Sequence, residues 1–218
     1  MVSIPTFIAP TKRILVIAII VGLIAGVGSL LFFEGLKLGT AFFMGYLLQY
    51  EYPQEGQTIT QISHWSGPDS LFLLVPILCF GSLITGILIT RFAPEAEGHG
   101  TDAAIKAYHG EGKIRRRIPL LKALTAILTI STGGSAGREG PAAQISAGFG
   151  SFVAEILNLS PKERRIALTT GIGAGIGTIF KAPLGGAILA AEVLYTRDFE
   201  SEAIVPAFLA STIGYSIF

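Results

Sequence analysis

Two long uncharged runs of apolar residues stand out along the chain. Residues 14–33 and residues 71–90 contain no Asp, Glu, Lys or Arg. Each run has about the 20 residues that an α-helix needs to cross the hydrocarbon core of a bilayer. The pattern predicts two long membrane spans, over residues 14–50 and 71–93, the first of which continues past a short polar interruption.

That interruption contains Glu34 and Lys37. Side chains three positions apart on a helix are neighbours, so the pair predicts a self-paired charge near the end of one long, tilted helix. A secretory signal peptide is a weak alternative, because the run is much longer than an h-region of about 7–15 residues. Residues 51–70 are polar and rich in turn-forming residues, and we expect an aqueous loop there with His64 as a solvated side chain.

The apolar stretches in the rest of the chain are shorter, and we expect short, interrupted helices over residues 101–218. The predicted breaks lie at Gly140-Pro141, Ala182-Pro183 and Val205-Pro206. Lipid cannot satisfy exposed backbone polar groups, so such breaks are tolerated only inside protein or along a water-filled cavity. Half-helices whose N-termini point at an ion near the bilayer midplane are a known arrangement in transporters. The pattern therefore indicates an ion pathway.

The composition agrees with a membrane protein. Hydrophobic residues make up 50% of the chain and charged residues 14%, compared with about 25% charged residues in ordinary soluble domains. The mean hydropathy is +0.62. We predict an all-α polytopic membrane protein with broken and tilted helices, forming a single transmembrane domain over residues 1–218 in the cell membrane.

Composition and motifs also exclude some classes of function. A net charge of +1 gives no reason to expect nucleic acid as a partner. The chain offers no nucleophile–base set and no metal cluster at usable spacing, so we expect no enzyme activity, no metal and no cofactor.

The most informative motif is a charged pair set between glycines, Gly137, Arg138, Glu139, Gly140 and Pro141. Proline is favoured in the first turn of a helix, and the residues that follow are small and apolar, so a helix is predicted to begin here. Unpaired backbone N–H groups and the positive end of the helix dipole favour an anion at such a start. In a membrane, this is a place to bind or gate a negative ion.

A second candidate helix N-terminus follows the second long span. It consists of Gly98, His99, Gly100, Thr101 and Asp102. The glycines permit a tight backbone, and Thr101 or Asp102 could cap a short helix over residues 103–109. An ordinary capped helix in a loop explains these residues equally well, because a G-x-G pattern is weak evidence by itself.

Four alternating glycines, at positions 171, 173, 175 and 177, resemble a nucleotide-binding loop only superficially. A dinucleotide fingerprint follows a strand within a βαβ unit. Here the glycines lie inside an uncharged helical segment, so we interpret them as close helix–helix packing.

Two basic clusters flank the short helices. The run 111–117 contains Lys113, Arg115, Arg116 and Arg117, and is typical of a cytoplasmic loop. Lys162, Arg164 and Arg165 follow a predicted helix cap at Ser160-Pro161. The sequence leaves open whether both clusters face the same side of the membrane.

The motif at residues 137–141 is followed by F-K-A-P-L-G-G at 180–186 and A-A-E at 190–192. This combination is similar to the CLC family of chloride channels and proton-coupled chloride antiporters. The resemblance implies a homodimeric membrane protein, built from two inverted halves, with one anion pathway per subunit. It assigns the gating carboxylate to Glu139. It implies anion coordination by Gly98, His99, Gly100 and Thr101, and by Gly137, Arg138 and Gly140 beside the gate.

The chain departs from the family pattern at two positions. The family's first motif reads G-S-G-I-P, and here His99 replaces the serine. An imidazole donates one hydrogen bond when neutral and two when charged, so anion binding is expected to depend on pH, and Asp102 would repel an anion unless it faces away. Val193 occupies the position of the antiporters' inner proton-relay glutamate. Glu192, one residue earlier, is a candidate for a proton path or for a helix-end role.

The chain resembles the first half of a CLC subunit, which leaves three readings: a truncation, a half that pairs with a separate second-half subunit, or a half that assembles with its own copy. We expect channel-like transport of chloride or a similar small anion across the lipid bilayer, gated by Glu139. A proton-coupled chloride or fluoride antiporter is one alternative, and a non-conducting half-protein is the other.

Overall fold

The computed structural model describes residues 10–50 and 71–218, and it is helical with no strand among them. The predicted loop over residues 51–70, with His64, lies outside the described residues. The helices are α1 (Pro10–Thr40), continued by a π-helical segment (Ala41–Leu47), α2 (Leu71–Phe92), α3 (Thr101–His109), α4 (Ile118–Ser131), α5 (Glu139–Ile156), α6 (Pro161–Ile179), α7 (Pro183–Glu192) and α8 (Ser201–Ile217), with a short 3-10 turn at Pro94–Ala96. The predicted fold class is confirmed.

Within residues 10–50 and 71–218, two helical stretches are long and apolar enough to cross a membrane, Lys12–Leu47 and Phe72–Phe92. The ammonium of Lys37 lies 2.9 Å from the carboxylate of Glu34, so the predicted self-paired charge is confirmed. Helix α2 packs mainly against α4 and exposes most of its apolar side chains. Such a surface is stable only against lipid or another protein surface.

Helix α6 is the centre of the fold. It contacts α1, α5, α7 and α8, and every residue from 166 to 179 is buried. Its glycines make this possible, because a Cβ at Gly171 would overlap the carbonyl of Ser146 and a Cβ at Gly175 would lie 2.6 Å from the carbonyl oxygen of Ala142. The glycine run therefore packs helices together and does not form a nucleotide-binding loop.

Hydroxyl groups also pack against glycines across the interface between α6 and α8. The side-chain oxygen of Ser211 lies against Gly177, and that of Thr178 lies against Gly214. Both hydroxyl oxygens are buried without a conventional hydrogen-bond partner among the described residues. Weak Cα–H···O contacts to the glycines give these oxygens some compensation, as is common where small residues bring membrane helices together.

The predicted break at Val205-Pro206 is wrong, because α8 runs without interruption from Ser201 to Ile217. Pro206 is buried within the helix. A proline removes one backbone donor, and here the carbonyl that loses its partner belongs to Glu202 in the first turn of the helix. Packing of α8 against α1, α6 and α7 holds the helix together across this single missing bond.

The two basic clusters lie together at one end of the helix bundle. Arg165 donates a 3.4 Å hydrogen bond to the carbonyl of Gly110, and Arg116 makes two 3.0 Å hydrogen bonds to Glu155. Arg13 of α1 lies 3.1 Å from Glu163 at the start of α6. The positive charges at residues 113–117 and 162–165 and at the start of α1 therefore share one face.

The start of α6 is capped as the sequence predicts. The hydroxyl of Ser160 accepts from the backbone N–H of Glu163, while the Glu163 carboxylate accepts from the N–H of Ser160. This reciprocal capping box satisfies two backbone donors, and Pro161 at the first helical position needs no partner for its nitrogen.

Gly171→Ala is expected to destabilise the fold, because the new methyl group meets backbone atoms of α5 that cannot rotate away. We expect a loss of about 1–3 kcal/mol, measured as a lower thermal unfolding temperature in detergent. The matched control is Gly86→Ala, since a Cβ at Gly86 meets no atom within 4 Å. Equal unfolding temperatures for the two variants would contradict the packing account.

Candidate functional site

Helix α5 begins at Glu139, and the first candidate segment forms its N-terminus, as the sequence predicts. The Glu139 side chain is exposed, and its carboxylate folds back against the Cα of Gly137, where any Cβ would collide with it. The Arg138 guanidinium lies over the rings of Phe33, at 5.5 Å, and Phe180, at 6.0 Å. Glycine at position 137 therefore leaves room for the Glu139 carboxylate at the N-terminus of α5.

The second candidate segment forms the N-terminus of α3. Gly98 and Gly100 have φ values of 75° and 109°, a backbone conformation that favours glycine. The predicted capping by Thr101 or Asp102 is wrong, because the helix already begins at Thr101 and its N-cap is Gly100, with no side-chain cap. The Thr101 hydroxyl instead lies 3.1 Å from Nδ1 of His99. A glycine N-cap leaves the first-turn N–H groups without a capping side chain, which suits an anion site.

The structure brings these two helix N-termini into direct contact. A Cβ at Gly100 would lie 2.6 Å from the carbonyl oxygen of Gly140, and a Cβ at Gly140 would collide with both the carbonyl and the ring of His99. Both glycines are buried, whereas the His99 side chain is exposed beside them. The close approach of α3 and α5 therefore requires glycine at both positions.

A cavity of about 390 Å³ lies next to this contact, between the helix N-termini and the facing sides of α2 and α4. Both candidate segments line it, through Gly98 and His99 on one wall and Ser135, Ala136, Gly137 and Pro141 on another. The hydroxyl-bearing side chains of Thr85, Thr125 and Thr129 line the opposite wall. The lining thus combines apolar side chains, such as Ile89 and Ile130, with threonine hydroxyls, the glycines of the two candidate segments and one charged side chain.

That charged side chain is Lys122 of α4, which sequence reasoning missed. It is 4% exposed, and its ammonium donates hydrogen bonds to the carbonyl oxygens of Ala96, at 2.9 Å, and Gly98, at 2.7 Å. No carboxylate pairs with it in the part of the chain that the structure describes. The sequence does mark Lys122 as a candidate functional residue, because it is the only charged residue in the apolar helix Ile118–Ser131.

Two acidic residues considered at the sequence level lie away from this cavity. Asp102 is exposed and lines a different cavity, of about 530 Å³, on the other side of α3. Its charge therefore faces away from the helix contact. Glu192 is exposed at the end of α7 and does not line the cavity beside Lys122. Its role in a proton path stays a prediction.

Sequence comparisons find relatives of this chain. The family model for voltage gated chloride channels matches residues 81–218. An uncharacterized protein of Methanocaldococcus jannaschii is 40% identical over 146 residues, which cover 67% of this chain and 35% of that protein. The H(+)/Cl(-) exchange transporter ClcA of Yersinia pseudotuberculosis is 30% identical over 216 residues, which cover 94% of this chain and 41% of the transporter.

Two solved structures share the fold. A CLC-type fluoride/proton antiporter superposes with a TM-score of 0.73 at 23% identity, covering 94% of this chain and 46% of that chain. A slow cyanobacterial Cl⁻/H⁺ antiporter superposes with a TM-score of 0.72 at 27% identity, covering 96% and 46% of the two chains. At 23% identity, the similarity to the fluoride/proton antiporter shows only that the fold is shared.

The family model and the shared fold place this chain in the class of CLC-type proteins. The chain belongs to the voltage gated chloride channel family, because the family model matches more than half of it. The resemblance inferred from the motifs is therefore confirmed. The chain spans less than half the length of the relatives and structures that it matches.

Replacing Lys122 with Met removes the donor from two carbonyl oxygens while keeping a side chain of similar length. We expect Lys122→Met to lower the stability of the fold by about 1–3 kcal/mol, because these acceptors lose their partner. We also expect it to reduce the rise in unfolding temperature that chloride produces, because a cation beside the site is lost. Thermal unfolding with and without chloride measures both effects.

The control is Lys106→Met, since Lys106 is an exposed lysine of α3 that lines the other cavity. The assignment of Lys122 to the site is wrong if both methionine variants respond to chloride as the wild-type protein does.

Proposed function

We propose that this chain forms a CLC-type pathway through which chloride or a similar small anion crosses the cell membrane. The observation that supports this proposal most strongly is the contact between Gly100 and Gly140, which joins two helix N-termini. Each N-terminus presents backbone N–H groups and the positive end of a helix dipole. Lys122 adds a buried positive charge beside the same cavity.

The mechanism is replacement of an anion's hydration shell by backbone N–H groups, with no covalent chemistry. The amides of residues 98–101 and 137–140 take the place of water around the ion. The Glu139 carboxylate competes for the same positive environment, since it already lies against Gly137 at the start of α5. An arriving anion displaces the carboxylate, or a proton neutralises it, and in both cases the pathway opens.

A proton-coupled antiporter is the second candidate. The ClcA relative and the two solved structures are antiporters by their names. Glu139 is a carboxylate that a proton can neutralise, and Glu192 is a further carboxylate in the same domain. Val193 at the position of the family's inner glutamate favours the channel-like mechanism instead.

The exposure of the site supports a role for a second subunit. The side chains of His99 and Glu139 are both exposed. An ion is dehydrated only when protein surrounds it, so the chain alone provides one side of such an enclosure. We propose that the other side comes from a second copy in a homodimer, from a separate second-half subunit, or from further chain of the kind that the longer relatives contain.

The distribution of basic residues supports one orientation. Arg13 and the clusters at residues 113–117 and 162–165 lie at the same end of the bundle. Cytoplasmic ends of membrane proteins are enriched in Lys and Arg. We therefore propose that this end faces the cytoplasm. Membership of a family of transporters also supports a function other than catalysis.

The gate is tested by Glu139→Gln and Glu139→Ala in liposomes that contain the full chain. Removing the ionisable carboxylate is expected to weaken the pH dependence of chloride flux to the part that His99 contributes, and Glu139→Ala is expected to raise flux at neutral pH because the competing oxygen is gone. Glu97→Gln is the control, because Glu97 is exposed and lines the other cavity. The gate assignment fails if both Glu139 variants keep the wild-type flux and pH dependence.

The same liposomes separate the alternatives. An antiporter builds up a pH gradient when a chloride or fluoride gradient is imposed, whereas a channel does not. Absence of flux from the wild-type chain alone, with flux restored by a second-half subunit, would favour the half-protein.

A further inference from the structure

Helix α3 is short, and its N-terminus forms one side of the proposed anion site. It has 9 residues, fewer than the roughly 12–15 that make an isolated helix stable in water. Its position therefore depends on contacts with the rest of the fold, through Ala104 in the buried core and through both of its ends. At the N-terminal end these contacts are the hydrogen bond from Lys122 to Gly98 and the packing of Gly100 against Gly140.

At the C-terminal end, α3 is held by a cluster of polar and aromatic side chains. The hydroxyl of Tyr108 donates to the carboxylate of Glu200 and lies 2.8 Å from the hydroxyl of Tyr195. Nε2 of His109 donates a 2.7 Å hydrogen bond to the carbonyl of Leu194. We name Tyr108, His109, Tyr195 and Glu200 the α3 latch.

The rings of the latch pack edge to face. The centroid of the Tyr108 ring lies 5.2 Å from that of His109 and 5.8 Å from that of Tyr195. Tyr108 is 2% exposed, although its hydroxyl reaches the polar cavity of about 420 Å³ that Arg165 and Glu200 also line. Aromatic pairs with this geometry add to the hydrogen bonds and fix the direction of both side chains.

All partners of α3 in the latch belong to one segment, residues 194–200, which joins α7 to α8. This segment is itself fixed, because the N–H of Glu200 donates a 3.0 Å hydrogen bond to the carbonyl of Ala191 in α7. Glu202, just beyond the segment, pairs with Lys162 at 2.6 Å on the exposed surface. The latch therefore ties α3 to the end of α7 and not to a free loop.

We propose that the α3 latch positions the N-terminal amides of α3 for anion binding, so that Tyr108 and Glu200 are positioning residues of a site at the other end of the helix. The inference rests on the proposed anion function. A helix of this size is about 14 Å long and moves as a rigid rod. A change of tilt at Tyr108 therefore displaces Gly100 and Thr101 relative to α5.

The test uses the purified full chain in detergent and two measurements, hydrogen exchange of the amides of residues 98–104 and calorimetric titration with chloride. Tyr108→Phe keeps the buried ring but removes the hydroxyl that contacts Glu200 and Tyr195. Glu200→Ala removes the acceptor. For both we expect faster exchange in residues 98–104, and a chloride dissociation constant raised by about threefold to tenfold.

Two further variants separate positioning from general stability. Glu200→Gln keeps an acceptor oxygen at the same place and is expected to restore slow exchange and chloride affinity. Glu202→Ala removes the neighbouring surface carboxylate and is expected to match the wild-type protein. Amides of α5 and α6 are expected to exchange at wild-type rates in all four variants.

The proposal is overturned if Tyr108→Phe and Glu200→Ala leave exchange in residues 98–104 unchanged. It is also overturned if exchange rises equally in α5 and α6, because the latch would then stabilise the whole fold. A wild-type chain that binds no chloride would contradict the proposed function, while the exchange measurement would still decide whether the latch positions α3.

Discussion

The contact between Gly100 and Gly140 is the constraint on which the candidate site depends. It places two helix N-termini side by side, and their positive dipole ends repel each other. The ammonium of Lys122 adds a further positive charge nearby, which the carbonyls of Ala96 and Gly98 offset only in part. A negative charge at this point relieves the repulsion, and either the Glu139 carboxylate or a small anion can supply it. Competition between these two charges is the physical basis of the gate that we propose.

Short helices can meet in this way only because other protein surrounds them. Helix α6 provides that surrounding, since its glycines let α5 and α7 approach to backbone contact. Gly171 and Gly175 let α5 pack closely against α6, and the position of α5 in turn sets the position of Glu139 at its start. The site is therefore built by backbone packing first and by charged side chains second, which explains why so few charged residues are needed.

Local features of this fold could be predicted from the sequence, whereas features that depend on distant contacts could not. The start of α5 beside Glu139 and the capping box of Ser160 follow from residues close in the chain. The continuity of α8 through Pro206 depends on packing against three other helices. Lys122 and Glu139 belong to different helices, α4 and α5, so the place of Lys122 beside the site follows only from the folded arrangement. The position of the two basic clusters on one face of the molecule likewise depends on contacts between residues distant in the chain.

The most direct test of the central claim is to locate the anion itself. Bromide substitutes for chloride and scatters anomalously, so crystals of the protein grown in bromide would show its position. Our account predicts an anomalous peak within hydrogen-bonding distance of the backbone amides at residues 98–101 and 137–140, strengthened when Glu139 is replaced by Gln. Bromide bound elsewhere, with no peak between α3 and α5 in either protein, would contradict it.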